Sequence, residues 1–174
     1  PAVPNTGWFL YGFVRKEAVI SSQIEGTQAT LQDVARFEAI RPDASSSTSA
    51  STADSAPASS EFPPDVTDVC NYVAALEFAR REITRPKGLP IGTRLLCESH
   101  RILMRGIRGG EKNPGEIRRT QNWIGGSRPG NARFVPPPAN EVSPALDSLE
   151  KWIHSKDSLP PLIKSGLAHV QFET

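Results

Sequence analysis

The string SSQIEGT at residues 21–27 contains the first residues whose types and spacing suit chemistry. Ser21 and Glu25 are one helical turn apart and share a face, and Gly26 stands where a helix would end. The pattern predicts a carboxylate presented at a helix end. A solvated glutamate ahead of a glycine cap has the same pattern, so the string alone leaves both interpretations open.

A second candidate segment lies between residues 109 and 140, where Gly, Pro and Asn are too frequent for a continuous helix. Residues 123–124 and 133–135 can flank a turn at 128–131, which predicts a short irregular hairpin. Three prolines at 136–138 hold the exit extended and remove backbone donors. The hairpin is either a simple connection or a surface that can hold an extended peptide.

Other chemically active residues lack a supporting pattern. Cys70 and Cys97 have neither CxxC nor Cys/His ligand spacing, so we expect two buried reduced thiols and no metal site. His100 has no neighbouring Ser, Cys or carboxylate motif, and a lone helical histidine is more often structural or solvated. The catalytic candidates therefore do not include these residues.

Composition indicates one modest globular domain with accessory segments. The chain has 174 residues, 37% of them hydrophobic, and a formal net charge of +1. Its basic residues are scattered apart from a local cluster between 101 and 119, so neither a nucleic-acid nor a membrane partner is required. Without an apolar run of membrane length or a signal peptide, a cytoplasmic location is expected.

Helical patterns occupy both sides of a low-complexity tract. A helix is predicted over 8–25 and a shorter one from Thr30 to about Ala39, in which Thr30 and Asp33 cap each other. The tract at 42–64 is rich in Ser, Ala and Pro and is predicted to be a disordered linker. The expected apolar face of the first helix consists of Leu10, Phe13, Val14, Ala18 and Ile24.

Four more helices are predicted after this tract. They begin at Asp65, near Thr93, at Asn140 as a capping residue, and at Pro160-Pro161. The last one carries apolar residues almost to Thr174 and ends without a cap, so we expect its stripe to lack cover. The apolar stripe expected of the third helix consists of Val66, Val69, Cys70, Val73, Leu76 and Ile83.

Two strings together resemble one family. Residues 15–27 resemble the inhibitory helix of Fic-domain proteins, whose pattern is Ser or Thr, three residues, Glu, then Gly or Asn; here these are Ser21, Glu25 and Gly26. NPGEIR at 113–118, QNWIGG at 121–126 and FVPPP at 134–138 resemble the segment that leads into and forms the Fic flap. We call residues 122–138 the flap segment.

The resemblance implies an all-α fold, an incomplete Fic-like helical bundle with a short β-hairpin flap and an N-terminal inhibitory helix. It divides the chain into an inhibitory region at 1–41, the linker at 42–64 and the N-terminal part of the Fic core at 65–174. Fic enzymes transfer AMP from ATP to a hydroxyl side chain of a target protein. Their active-site loop, HxFx[DE]GNGR, supplies the general base, the acid that holds Mg²⁺ and groups for the phosphates.

That loop string does not occur in the 174 residues, although 169–174 resemble the run leading into it. We therefore expect no catalytic or metal-binding residue here and an incomplete, inactive fragment. By resemblance, Glu25 pairs with an arginine of the loop where the terminal phosphate of ATP would lie, and Ser21 and Gly26 support it. The residues expected to hold the target are Ile124, Gly125, Phe134, Val135 and Pro136.

The implied partners are ATP, Mg²⁺ and a target protein with a Ser, Thr or Tyr acceptor, and a homodimer is compatible with them. Two other interpretations remain open. One is a non-catalytic helical regulatory module, in which the helix ending at Gly26 inhibits another chain. The other is a helical scaffold without either role.

Overall fold

The computed structural model describes residues 6–40, 64–107 and 112–173, which contain six α-helices and one 3₁₀ turn. This confirms the predicted all-α class. The helices are α1 Thr6–Ile24, α2 Leu31–Ile40, α3 Pro64–Thr84, α4 Thr93–Leu103, α5 Ala139–Ile153 and α6 Pro161–Glu173, and the 3₁₀ turn is Pro129–Asn131.

The start of α2 forms the predicted capping pair. The amide of Asp33 donates to the hydroxyl of Thr30 over 3.2 Å, and the amide and hydroxyl of Thr30 donate to the Asp33 carboxylate over 3.0 and 2.6 Å. These bonds favour the ionised carboxylate, first the one from the Thr30 hydroxyl, and hold the pKa of Asp33 below its ordinary value. The local sequence signal was sufficient because both partners are three residues apart.

The start of α5 differs from the prediction. Its N-cap is Pro138, which makes no side-chain capping bond, and Asn140 already lies inside the helix. Proline fixes its own backbone angle near the value a helix entry needs, so the chain can enter α5 without an asparagine cap. The linker predicted over 42–64 lies outside the described residues except for Pro64, the first residue of α3.

The chain divides into two compact units. Unit 1 comprises Pro1–Arg81 and Ser99–Pro114, and unit 2 comprises Glu82–Glu98 and Gly115–Thr174. The core of unit 1 is built from small and β-branched side chains on α1, α2, α3 and the loop before α2, which suits helices in close approach. Its buried members are Ala18, Val19, Ala29, Val34, Val66, Val69 and Val73.

Two of the predicted apolar faces were partly wrong. On α1, Ala18 is buried, but Phe13 and Ile24 are 57% and 79% exposed. On α3, Val66, Val69 and Val73 are buried, whereas Leu76 and Ile83 are exposed. Apolar residues spaced by three and four positions can form more than one adjacent stripe on the same helix. Only contacts with other elements decide which of these stripes is buried.

Unit 2 has no buried residue in α5 or α6 within its described part. Polar contacts join its elements instead. The amide of Thr93 donates to Glu150 over 2.9 Å, and Lys164 of α6 pairs with Asp157 over 2.6 Å. The Lys164 ammonium lies 5.4 Å from the centre of the Trp152 ring, so the turn between α5 and α6 is fixed mainly by charge and hydrogen bonds.

The hairpin expected in the flap segment is not shown. One antiparallel bridge joins Ile124 and Phe134, without extended paired strands on either side. Glycines 125 and 126 have positive φ values, which turn the chain away from a strand, and the prolines at 136–138 have no amide hydrogen for a ladder. Across the described ranges no helix combines the length and apolarity that crossing a bilayer requires.

Candidate functional site

The predicted helix end is formed around Glu25. Gly26 has a φ of +97°, its amide donates to the carbonyl of Gln23, and the amide of Thr27 donates to that of Ser22, both over 3.1 Å. This is the Schellman arrangement, with Glu25 as the last half-helical residue and Gly26 in the left-handed position. Open space surrounds Gly26, so the backbone angle is what favours glycine there.

The Glu25 side chain is exposed. It stands at the C-terminal end of α1, where the helix macrodipole is negative and a carboxylate is unfavourable. No basic residue occupies the last turn of α1 to offset it. Stability of the helix therefore does not account for a glutamate here, and its carboxylate is accessible to a cationic partner.

Loop contacts hold this helix end in place. The side-chain nitrogen of Gln23 donates to the backbone carbonyl of Ala29 over 3.0 Å. The backbone amide of Gln28 donates to the carboxylate of Asp65, at the start of α3, over 2.9 Å. Ala29 itself is fully buried in the unit 1 core. The chain that follows Glu25 is thus tied both to its own helix and to α3.

Ser21 binds Glu17, one turn before it, with 2.7 Å between its hydroxyl and the carboxylate. The other oxygen of Glu17 accepts from the Tyr72 hydroxyl of α3 over 3.1 Å. Partial burial and, next, the bond and charge of Glu17 raise the pKa of Tyr72 above its ordinary value. Ser21 therefore belongs to a polar chain that fastens the last turns of α1 to α3.

A buried arginine that sequence reasoning missed fastens the middle of α1. Arg15 is 5% exposed, and its guanidinium makes a forked contact with Glu38 of α2 at 2.8 Å and a second contact with Glu77 of α3 at 3.0 Å. Its guanidinium carbon lies 3.4 Å from the centre of the Tyr11 ring, whose hydroxyl also donates to Glu38. We call these four residues the Arg15 cluster.

The cluster keeps the Arg15 guanidinium ionised. Burial by itself lowers the pKa of Arg15, but the bonds and charges of Glu38 and Glu77 outweigh burial and raise it. Burial and then Glu38 raise the pKa of Tyr11. One signal could have indicated the cluster: Arg15 is three and four residues before Ala18 and Val19, so it falls on the face that the core buries.

The flap residues lie in unit 2. The amide of Ile124 donates to the carbonyl of Phe134 over 2.9 Å, and the amide of Phe134 donates back over 3.2 Å. Ile124 is 64% exposed, and Phe134 and Val135 are also exposed. The structure thus brings Ile124 and Phe134 together, with Gly125 next to the first and Val135 and Pro136 following the second.

Asn131 shapes the tip of the flap segment. Its side-chain oxygen accepts from the amides of Ser127 and Arg128, each over 3.0 Å, and its amide nitrogen donates to the Ser127 hydroxyl. A Cβ on Gly126 would lie 2.4 Å from the Asn131 carbonyl oxygen. Glycine is therefore required by space as well as by backbone angle at Gly126.

A cleft of about 650 Å³ in unit 2 does not coincide with the predicted site. It lies beside the first turn of α5, and Glu116, Arg118 and Arg119 line it together with Cys97. None of the predicted site residues borders it. Among the described residues, no three His, Cys, Asp or Glu side chains are grouped so that they could hold a metal ion.

The free thiols differ in their surroundings. Cys70 packs against the unit 1 core, and burial, followed by the charge of Glu38, raises its pKa to about 12. A thiol with so high a pKa is a poor nucleophile at neutral pH. Both cysteines are free, but they are half-buried and not fully buried as expected.

Two family models match the chain. A model described as Fic/DOC family N-terminal matches residues 1–81, and one described as Fic/DOC family matches residues 90–174. The first match contains α1 and its Glu25 end, and the second contains the flap segment. A search of curated proteins finds no match to the chain.

Proposed function

The chain belongs to the Fic/DOC family, and on that premise we propose that the protein is an adenylyltransferase that transfers AMP from ATP to a hydroxyl side chain of a target protein and is inhibited by its own Glu25. The observation that carries the proposal is the exposed Glu25 carboxylate on a fixed helix end. In this proposal residues 1–41 are the inhibitory region and 65–174 contain the flap.

Glu25 inhibits by competing for a cation. A carboxylate that pairs with the arginine of the family's active-site loop occupies the place of the terminal phosphate of ATP, and charge-assisted contacts of this kind are strong. ATP bound without that arginine has its α-phosphate badly oriented for in-line attack. The contacts of Gln23 and Ser21 support this role, because they hold the end of α1 in one position.

The transfer forms a bond between the acceptor oxygen and the α-phosphorus and releases pyrophosphate, while a general base accepts the hydroxyl proton. The family's loop string is not in the 174 residues, so we assign no base to this chain. Mg²⁺ would neutralise phosphate charge, but the described residues contain no group of three metal-ligating side chains. No step through the metal is therefore assigned to them.

The flap segment is proposed to hold the target protein. Ile124 and Phe134, which form the bridge, and Val135 next to it present exposed apolar side chains, and Gly125 and Pro136 flank them. An extended target segment laid against them would keep the acceptor hydroxyl in line with the α-phosphorus. Such positioning lowers the barrier because the entropy of orientation is lost on binding and not in the reaction.

The proposal is tested with Glu25→Gln, which removes the charge and keeps the shape. In a protein that carries these residues together with the active-site loop, we expect AMP transfer to rise about tenfold or more, since losing about 1.4 kcal/mol of a competing contact changes a rate tenfold. Incorporation of labelled AMP into a target measures it. Glu141→Gln, on an exposed glutamate in the first turn of α5, is the matched control.

Unchanged transfer in Glu25→Gln, or an equal rise in Glu141→Gln, would contradict inhibition by Glu25. No transfer from any of these proteins would contradict the adenylyltransferase proposal as a whole. The first two outcomes concern only the inhibitory role of Glu25, and the third concerns AMP transfer itself, so a failure of either part can be distinguished.

A second candidate function is a non-catalytic helical regulatory module. The apolar side chains of α6 favour it, since Leu162 is 83% exposed and Val170 and Phe172 are also exposed. Exposed apolar stripes of this kind mark interaction surfaces. A protein with the loop present that neither binds labelled ATP nor transfers AMP would favour this alternative.

A further inference from the structure

The exit arm of the flap segment, Pro136–Pro138, has no backbone amide hydrogen. The exit arm therefore cannot donate backbone hydrogen bonds to residues 120–122, which we call the entry arm. Its position must be set through its carbonyl groups, and the donors have to come from elsewhere. Gln121 of the entry arm and Arg118, two residues before this arm, supply them.

Gln121 and Arg118 hold the two carbonyls. The Gln121 side-chain nitrogen donates to the carbonyl of Pro136 over 2.9 Å, and the Arg118 Nη2 donates to that of Pro137. The same side chains also bind the entry arm, since Arg118 Nη1 donates to the carbonyl of Thr120 over 3.2 Å and Gln121 to that of Asn122 over 3.0 Å. We call this pair the clasp.

The clasp lies at the base of the flap segment, and only a single bridge lies between it and the tip. The bridge contributes three backbone hydrogen bonds, from Ile124, Arg133 and Phe134. The tip is closed locally by Asn131, which binds Ser127 and Arg128 and reaches neither arm. The direction of Phe134, Val135 and Pro136 therefore depends on how the clasp fixes the end of the exit arm.

We propose that Arg118 and Gln121 are positioning residues for the protein acceptor: by binding the carbonyls of Pro136 and Pro137 they set the geometry of the flap surface on which the target lies. This inference rests on the proposed function of the flap segment. Neither residue needs to contact the target or ATP. Their effect passes through Pro136 and Pro137 to the exposed side chains before them.

Arginine at 118 is specific for this task. A guanidinium has donors in a planar fork and can bind two carbonyls in fixed directions, whereas the ammonium of a lysine is a point charge on a flexible stem. Arg118→Lys keeps the charge but loses the fork. It is therefore a mild variant that should fold and still loosen the clasp.

A direct test compares Arg118→Met, Arg118→Lys and Gln121→Met with Arg119→Met in a protein that has the active-site loop. Arg119 is the matched control, because its guanidinium pairs with Glu116 at the surface over 3.2 Å. In the clasp variants we expect the KM for the target protein to rise about tenfold, because the loosened flap surface must be reordered when the target binds. The kcat and the KM for ATP should stay within about twofold, because the bound geometry is then regained. Arg119→Met should leave all three within about twofold.

Amide hydrogen exchange in the same proteins gives a second readout. The amides of Ile124 and Arg133 should exchange faster in the clasp variants and not in Arg119→Met, because the bridge opens more often when its base is released. The positioning role would be overturned if the KM for the target protein were unchanged in the clasp variants, or if it rose equally in Arg119→Met. Unchanged amide exchange of Ile124 and Arg133 in the clasp variants would also overturn it. If wild type transfers no AMP, the proposed function fails, and faster exchange in the clasp variants alone would still establish the clasp.

Discussion

The two units are built by different means. In unit 1, three helices bury a continuous core of alanine and valine and a charged cluster around Arg15. In the described part of unit 2, α5 and α6 have no buried residue, and side-chain hydrogen bonds to backbone groups hold the flap segment and the start of α4. The unit with the proposed inhibitory residue is thus held by a continuous buried core, whereas in the unit with the flap Leu95 of α4 is buried but α5 and α6 contribute no buried residue.

This difference matters for the two proposed roles. An inhibitory carboxylate has to stay in one place to compete with a phosphate, and a buried core with paired charges provides that rigidity. A surface that receives a target needs accessible groups, and exposed contacts cost little to rearrange. If burial also determines stability, substitutions in the buried core of unit 1 should cost more unfolding free energy than substitutions on the exposed helices of unit 2.

The largest effect is expected from Arg15→Met. It leaves the carboxylates of Glu38 and Glu77 partly buried without their cation, which should lower the free energy of unfolding by about 3 kcal/mol. Denaturant unfolding followed by circular dichroism measures it. Lys16→Met, at the next and exposed position, should change it by less than about 0.5 kcal/mol.

A double variant shows whether the loss comes from unpaired charge. Glu38→Gln added to Arg15→Met removes one of the stranded carboxylates, so the double variant should be more stable than Arg15→Met alone. Equal or lower stability would show that packing of the arginine stem, and not its charge, dominates the Arg15 cluster.

The next effect compares one core residue with one residue of α6. Val66→Ala removes two methyl groups from a fully buried side chain and should cost about 2 kcal/mol through lost burial and the cavity left behind. Leu162→Ala removes a larger apolar group that is 83% exposed and should cost less than about 0.5 kcal/mol. Equal losses of unfolding free energy in the two variants, measured by denaturant unfolding, would contradict the proposed difference between the units.

The smallest effect is a pH dependence within unit 1. The pKa of Asp33 is lowered in the fold by the bonds from Thr30, so its stabilising contribution is present above the ordinary pKa of about 4 and is lost as pH falls through the lowered value. The free energy of unfolding of the wild type, relative to that of Asp33→Asn, should fall between pH 5 and pH 2. The fall should be about as large as the cost of losing one exposed helix N-cap. A constant difference across this range would contradict the assignment.

Local signals predicted the helices well because each signal and its effect lie within a few residues. Thr30 with Asp33, Pro161 at the start of α6 and Gly26 after α1 were all readable from their neighbours. The two family strings also pointed to the Fic/DOC family that the family models match. The paired strands expected of the hairpin are not shown, and pairing is limited to the bridge between Ile124 and Phe134, since a turn signal does not show how far the flanking residues pair.

The sequence by itself determined where the chain is helical, where α1 ends and which residues stand at that end, because capping, proline geometry and glycine angles act locally. Only the tertiary structure decided which stripe of α1 and α3 is buried, that Arg15 pairs with glutamates 23 and 62 residues away, and that Arg118 and Gln121 hold the prolines of the flap. Those outcomes depend on groups far apart in the chain, and spacing within one helix or loop carries no information about which distant partner will meet it.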